Sequence, residues 1–226
     1  RTELTREIGL LARKSVAQHG ENVLFLSDNG VYAISFLDQY NLRGVDLPLS
    51  DAIQPEIDRI NVNLAAAAVG IYFNNRYYLA VPLDSTLGAD DATGNNAILV
   101  YNFTNEGWES VDSVDDSRWS VMNFHIARAG ARNDLYAVNA SGGVHKIDAS
   151  DSDSDEMALS AGGSLESVPV SSSMTTRRYD LGMPERKRFS EIQVQAESAG
   201  QSSDFTVEFE TENPDSTTVL GDFSTL

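Results

Sequence analysis

Asp151, Asp153 and Asp155 stand at alternate positions in the run "DSDSDE", the spacing with which a calcium loop presents its first oxygen ligands. The pattern then fails twice. Glu156 stands where such a loop turns on glycine, and Gly162 stands where it needs a bidentate Glu, so weak attraction for calcium is the most this run offers. His19, His125 and His145 are far apart in sequence and share no paired ligand spacing, which reads as surface or packed histidine. Serine is abundant, but no Gly-x-Ser-x-Gly elbow occurs, and the paired carboxylates Asp115 and Asp116 lie in a polar turn. No glycine-rich phosphate loop leads into Lys-Ser or Lys-Thr. The chain has no cysteine, which excludes disulfides, thiolate metal sites and a thiol nucleophile. No catalytic constellation, metal or cofactor is expected, and the chain reads as a non-enzyme.

One charge feature deviates. Arg177, Arg178, Arg186, Lys187 and Arg188 put five of the 16 basic residues into twelve positions. Strand-edge protection with local acids such as Asp180, Glu185 and Glu191 accounts for them, and a docking patch for an acidic partner subunit is the alternative. Elsewhere acid dominates: 34 Asp and Glu give a formal charge of −18 in 226 residues. Such a chain repels phosphate backbones on average, so either the acidity keeps a β-rich protein in solution or it makes a non-stick surface beside nucleic acid. No run of about 18 apolar residues exists, so no membrane span is expected.

The elements that would position these residues are hairpins. In "ENVLFLSDNGVYAISF", residues 21–36, two alternating apolar runs flank Ser27-Asp28-Asn29-Gly30, a turn that uses positive-φ residues. Both faces of this hairpin are largely apolar, which requires cover on both sides and places it within a stack of sheets. Residues 68–83 repeat the arrangement around Asn74-Asn75, residues 96–112 around Thr104 to Gly107, and residues 133–148 around Ser141-Gly142-Gly143. Four hairpins at such spacing suggest blades of a β-propeller. Trp108, following the third turn as in a kelch-type blade, is expected to pack between neighbouring blades. One helix is expected in "LSDAIQPEIDRINVN", with Ser50 as N-cap, Asp51 and Glu56 near the positive end of the dipole, and Ile53, Ile57 and Ile60 on one face. It either spans blades or neighbouring subunits, or is a simple surface helix.

The expected fold class is all-β: propeller blades with one inserted helix over 1–149, an acidic Ser/Asp/Gly linker over 150–165, and a partial β-sandwich over 166–226. In the last part Ile192 and Val194, then Phe205, Val207 and Phe209, mark alternating strands, and "TVLGDFSTL" is strand-like.

Four stretches occur in an order that resembles a family. They are Phe-Leu-Ser-Asp-Asn-Gly at 25–30, Leu-Ser-Asp-Ala-Ile-Gln-Pro at 49–55, Arg-Tyr-Tyr-Leu-Ala-Val-Pro at 76–82 and Asn-Asn-Ala-Ile-Leu-Val-Tyr at 95–101. Over roughly residues 7–112 the chain is similar to the β-propeller region of bacteriophage tail proteins, especially the tail-nozzle or tail-hub proteins of short-tailed phages; beyond 150 the match is faint. The resemblance implies a virion structural protein without enzymatic activity. It would form a hexameric ring around the DNA-ejection channel, dock to tail adaptor and fibre proteins, and let DNA pass without sequence-specific binding. It also implies earlier blades ahead of residue 1, so that the chain is part of a longer polypeptide or completes its ring with another subunit. A glycan-binding propeller adhesin at the tail tip, using Tyr77, Tyr78 and Trp119 as platforms, is the alternative of a different class; a propeller hydrolase is a third. Neither aromatic-plus-Asp pockets nor carboxylates at strand starts repeat from blade to blade.

Overall fold

The computed structural model describes residues 8–35, 47–113, 119–147, 154–158, 165–169, 173, 204–210 and 217–224. The chain divides into two compact units, residues 1–170 and 171–226. The described strands are antiparallel throughout.

Three sheets follow one another over residues 17–147 of the first unit. The first contains β1 (Ala17–His19), β2 (Asn22–Ser27) and β3 (Gly30–Ser35) in that spatial order. Its hairpin closes as the turn signal demands, with Ser27 opposite Gly30 and Gly30 at φ 137°. The second sheet is a four-stranded meander of β4 (Val69–Phe73), β5 (Arg76–Val81), β6 (Ala97–Asn102) and β7 (Gly107–Ser113). Asn74 and Asn75, at φ 47° and 61°, form the two-residue turn between β4 and β5, the geometry that matches the twist of the flanking strands. The hairpins expected at 68–83 and 96–112 are therefore halves of one sheet. The third sheet holds β8 (Val121–Ala129), β9 (Arg132–Asn139) and β10 (Val144–Ile147).

Side-chain alternation sorts the core into two layers. Tyr77, Leu79 and Val81 on β5, with Ala97, Leu99 and Tyr101 on β6, meet Leu24, Leu26 and Val31 of the first sheet. The intervening residues Tyr78, Ala80, Ile98 and Val100 meet Val121, Phe124, Leu135 and Ala137 of the third. The central strands β5 and β6 of the middle sheet are thus covered on both faces, which is why they read as continuous apolar runs, while β7 at the sheet's edge is largely exposed. The first strands of the sheets lie against one another, β1 beside β4 and β4 beside β8.

The expected helix is much shorter than its apolar spacing suggests. A 3₁₀ turn over Asp51–Ile53 leads into α1 (Gln54–Ile57), four residues with Pro55 in its first turn. Ser50 makes no capping bond; its hydroxyl instead accepts the Val31 N–H at 3.0 Å and ties the segment to β3. The Ile60–Leu83 bridge and the Asn61 N–H to Pro82 carbonyl bond at 2.9 Å turn the chain from helix to strand-edge pairing. Ile57 and Ile60 are buried as their spacing foretold, against the core between the first two sheets.

Part of the segment expected to be a linker, 150–165, is a strand: β11 (Ser154–Ala158) pairs with β12 (Leu165–Pro169). In the second unit, β13 (Asp204–Glu210) and β14 (Thr217–Ser224) form a hairpin with a register shift at Val207/Glu208, where strands were expected.

Candidate functional site

The described residues bring their polar side chains together mainly where one sheet meets the next. Between the first two sheets the centre is Ser15, which is fully buried. Its hydroxyl donates to the Ala12 carbonyl at 2.7 Å and accepts the Leu26 N–H at 2.9 Å, while its carbonyl accepts the Tyr77 hydroxyl at 2.6 Å. Tyr77 is itself wholly enclosed, and burial pushes its hydroxyl far above the ordinary phenol range, opposed in part by the bond to Ser15. The Gly70 N–H donates to the Lys14 carbonyl at 2.8 Å, and Lys14 and Val69 form a parallel bridge. A Cβ on Gly70 would stand 2.5 Å from the Ser15 carbonyl oxygen and 2.7 Å from the Tyr77 hydroxyl, so only glycine allows this approach.

Between the second and third sheets the centre is Asn95. Its side-chain amide donates to the carbonyls of Ala67 and Val121, both at 2.8 Å, and its backbone carbonyl accepts the Val121 N–H at 2.9 Å. One residue thereby holds the connection before β4, the entry to β6 and the entry to β8. Its Oδ1 is buried without a hydrogen-bond partner. Gly94 gives room to Ser120, the residue just before β8, into whose side chain a Cβ at position 94 would run.

Trp108, on β7, is partly buried against the core between the first two sheets. Its ring stands edge-on to Tyr101 at 5.3 Å, and its Nε1 donates to the Leu49 carbonyl at 3.0 Å, across to the segment that joins those sheets. Beside it, the Arg76 guanidinium donates twice to Glu109, at 2.5 and 3.2 Å, and the Asn102 amide donates to the same carboxylate at 3.0 Å. The Arg76 and Asn102 bonds hold Glu109 below the usual carboxylate range. At the end of the same seam His19 stacks on Phe103 at 4.1 Å and leans on Tyr72 at 4.6 Å, an aromatic group that joins β1, β4 and the β6–β7 turn.

The polar residues singled out from sequence are not gathered at one place. His125 is exposed near Asn123, and half-buried His145 lies edge-on to Trp119 at 5.0 Å. Tyr77 and Tyr78, expected as exposed platforms for a glycan, are both buried, because successive residues of β5 face the first and the third sheet in turn. Trp119 packs on the core of the third sheet. Arg177, Arg178, Arg186, Lys187 and Arg188 lie outside the described residues, as do Asp115, Asp116, Asp151 and Asp153; Asp155 falls in β11.

A polar loop not singled out from sequence is built around Asp84. That buried carboxylate accepts the Asn61 amide at 3.2 Å and the Ala92 N–H at 2.8 Å, while Asn61 also donates to Asp90 at 2.5 Å. Asp91 accepts the Ser85 N–H at 2.8 Å, and its bonds from Ser85 hold it below the usual range. These carboxylates organise the 84–92 loop by local hydrogen bonds. Among the described residues no three His, Asp or Glu side chains are placed to share a metal ion. Ser15 and Asn95 escape a sequence reading because each is an ordinary polar residue whose importance comes from what folding brings beside it; Gly70, within β4, and Gly94, before β6, are the sequence signal of close approach at these two contacts. No family model, curated protein or solved structure matches the chain.

Proposed function

We propose that this chain is a structural component of a phage tail, a nozzle or hub subunit whose consecutive sheets are blades of a β-propeller and which assembles as a ring around the DNA-ejection channel. The observation that carries the reading is the stacking of three consecutive antiparallel sheets, with first strands β1, β4 and β8 adjacent and the middle sheet's central strands β5 and β6 buried on both faces. Radial repetition of meandering sheets about their first strands is how a propeller is built. The order of motifs over residues 7–112 supplies the tail assignment, and the charge of −18 suits a wall along which DNA slides without being held. Neighbouring adaptor and fibre proteins would take the outward surfaces. The adhesin alternative loses its tyrosine platforms to the core.

The test is the state of assembly of the purified polypeptide. Sedimentation velocity and negative-stain microscopy are expected to show ring-shaped oligomers, and antibody against the chain is expected to label virion tails. A monodisperse monomer together with unlabelled tails would overturn the proposal.

A further inference from the structure

β8 and β9 form the longest pair in the three-sheet stack, nine and eight residues. Near its root Phe124, Leu135 and Ala137 are buried against the middle sheet. Toward its tip that cover ends: Ile126 stands opposite fully buried Leu135 yet is 46% exposed, and Ala127, Arg128, Arg132 and Asn133 are exposed. The pair Ala129–Arg132 closes the hairpin, with Gly130 at φ 69° in the turn, where a side chain would be strained. The register puts Arg128 on the face of Ile126 and Arg132 on the opposite face. The last rungs of this hairpin therefore extend past the middle sheet as a two-faced basic arm.

Its charge is opposite to that of the middle sheet and the segment that leads into it. Residues 119–147 hold three cations, Arg128, Arg132 and Lys146, against one carboxylate, Asp134, whereas residues 47–113 hold nine carboxylates against two arginines. Lys146 lies 3.5 Å from Asp134. Arg128 donates through Nε to the Gly130 carbonyl at 3.2 Å, which holds its guanidinium at the turn, and neither tip arginine is paired with a described carboxylate.

We propose that the β8–β9 tip is the arm by which one copy of this chain docks on another. Arg128 and Arg132 take carboxylates of the neighbour's acidic surface in fork geometry, and Ile126 is covered by the neighbour at the arm's base. A second copy is the fitting occupant because its surface is rich in acid and, unlike a phosphate backbone, also offers apolar cover for Ile126. The arm rests on the ring reading, since it names the contact by which the ring is joined.

The experiment compares the wild-type protein with the double variant Arg128→Glu/Arg132→Glu by sedimentation equilibrium at about 50 mM and about 500 mM salt, with thermal melts of both. Wild type is expected to self-associate and to weaken at high salt, where the Debye length falls to a few ångströms. The double variant is expected to associate on the order of tenfold or more weakly at low salt while melting at the same temperature as dilute wild type. Arg128→Lys/Arg132→Lys, which keeps the charge but loses the fork, is expected to fall between them. Wild type and the Glu variant associating equally would overturn the arm and leave the ring; a monomeric wild type would overturn the ring and the arm together. Binding of a duplex DNA probe that is lost in the Glu variant, without change in association, would make the tip a nucleic-acid contact and overturn the proposal.

Discussion

Glu109 shows how a surface residue can carry a pH dependence. It accepts two bonds from Arg76 and one from Asn102, and these lower its pKa in the folded protein. Because the folded value lies below the unfolded one, about 4.3 for Glu, the stabilisation is fully present above that pH and is lost as pH falls through the folded value. Glu109→Gln is therefore expected to lower the melting temperature near neutral pH, and the difference from wild type is expected to shrink as pH falls through the folded value and Glu109 is protonated. A destabilisation that persists undiminished in acid would instead assign the effect to packing. The site is open to solvent, so the neutral-pH difference should be small and should shrink further with added salt. Tyr77 is the opposite case: its hydroxyl is enclosed, titrates far outside the accessible range, and serves only to satisfy the Ser15 carbonyl.

The elements were legible in proportion to how local their signals are. All four turn clusters lie where hairpins form, since Asn74-Asn75 or Asp28-Asn29-Gly30 fix their backbone without help from distant residues. β8 was not visible because His125, Arg128 and the bulge between Val121 and Asn123 break its alternation, and its partner β9 supplies the order. The helix at 54–57 was overestimated for a related reason: Ile53, Ile57 and Ile60 have helical spacing, but Ser50 bonds to β3 and residues 60–61 bond to 82–83, so tertiary contacts end the helix early. Where the sheets touch was not written in any pattern. Gly70 marks a close contact between the first two sheets, with Ser15 and Tyr77 occupying the space a methyl group would need. Gly70→Ala is expected to destabilise by about 1–3 kcal/mol, the usual cost of overpacking, because the first obstacle is backbone and the second a fully buried ring. Gly107→Ala is the control: its Cβ would meet nothing nearer than the Asn105 carbonyl at 3.8 Å, and no loss is expected. Equal stability of the two variants in denaturant titration would remove Gly70 from its place as the contact between sheets.

At the scale of the molecule, packing and charge pull the functional reading in one direction. Strands buried on both faces, as β5 and β6 are, need neighbours, and the first and third sheets supply them here while each keeps a face turned away from the second. Met122, Ile126 and Val144 remain more than 45% exposed on the third sheet, which suits a chain that adds further layers or subunits. Long-range attraction does not draw it to nucleic acid, because 34 carboxylates against 16 cations repel phosphate before any contact forms. The protein is accordingly expected to bind duplex DNA negligibly at about 150 mM salt, where the Debye length is about 8 Å and only local charge still acts. Arg177, Arg178, Arg186, Lys187 and Arg188 are the densest local cations in the sequence, and in the assembly proposed they meet protein. Arg186→Glu with Arg188→Glu is therefore expected to weaken assembly and to leave the absence of DNA binding unchanged, measured by fluorescence anisotropy of a labelled duplex across a salt series. Wild-type binding whose salt slope shows several released counterions, abolished in that double variant, would turn the cluster into a nucleic-acid site and reverse the account of an acidic channel past which DNA moves freely.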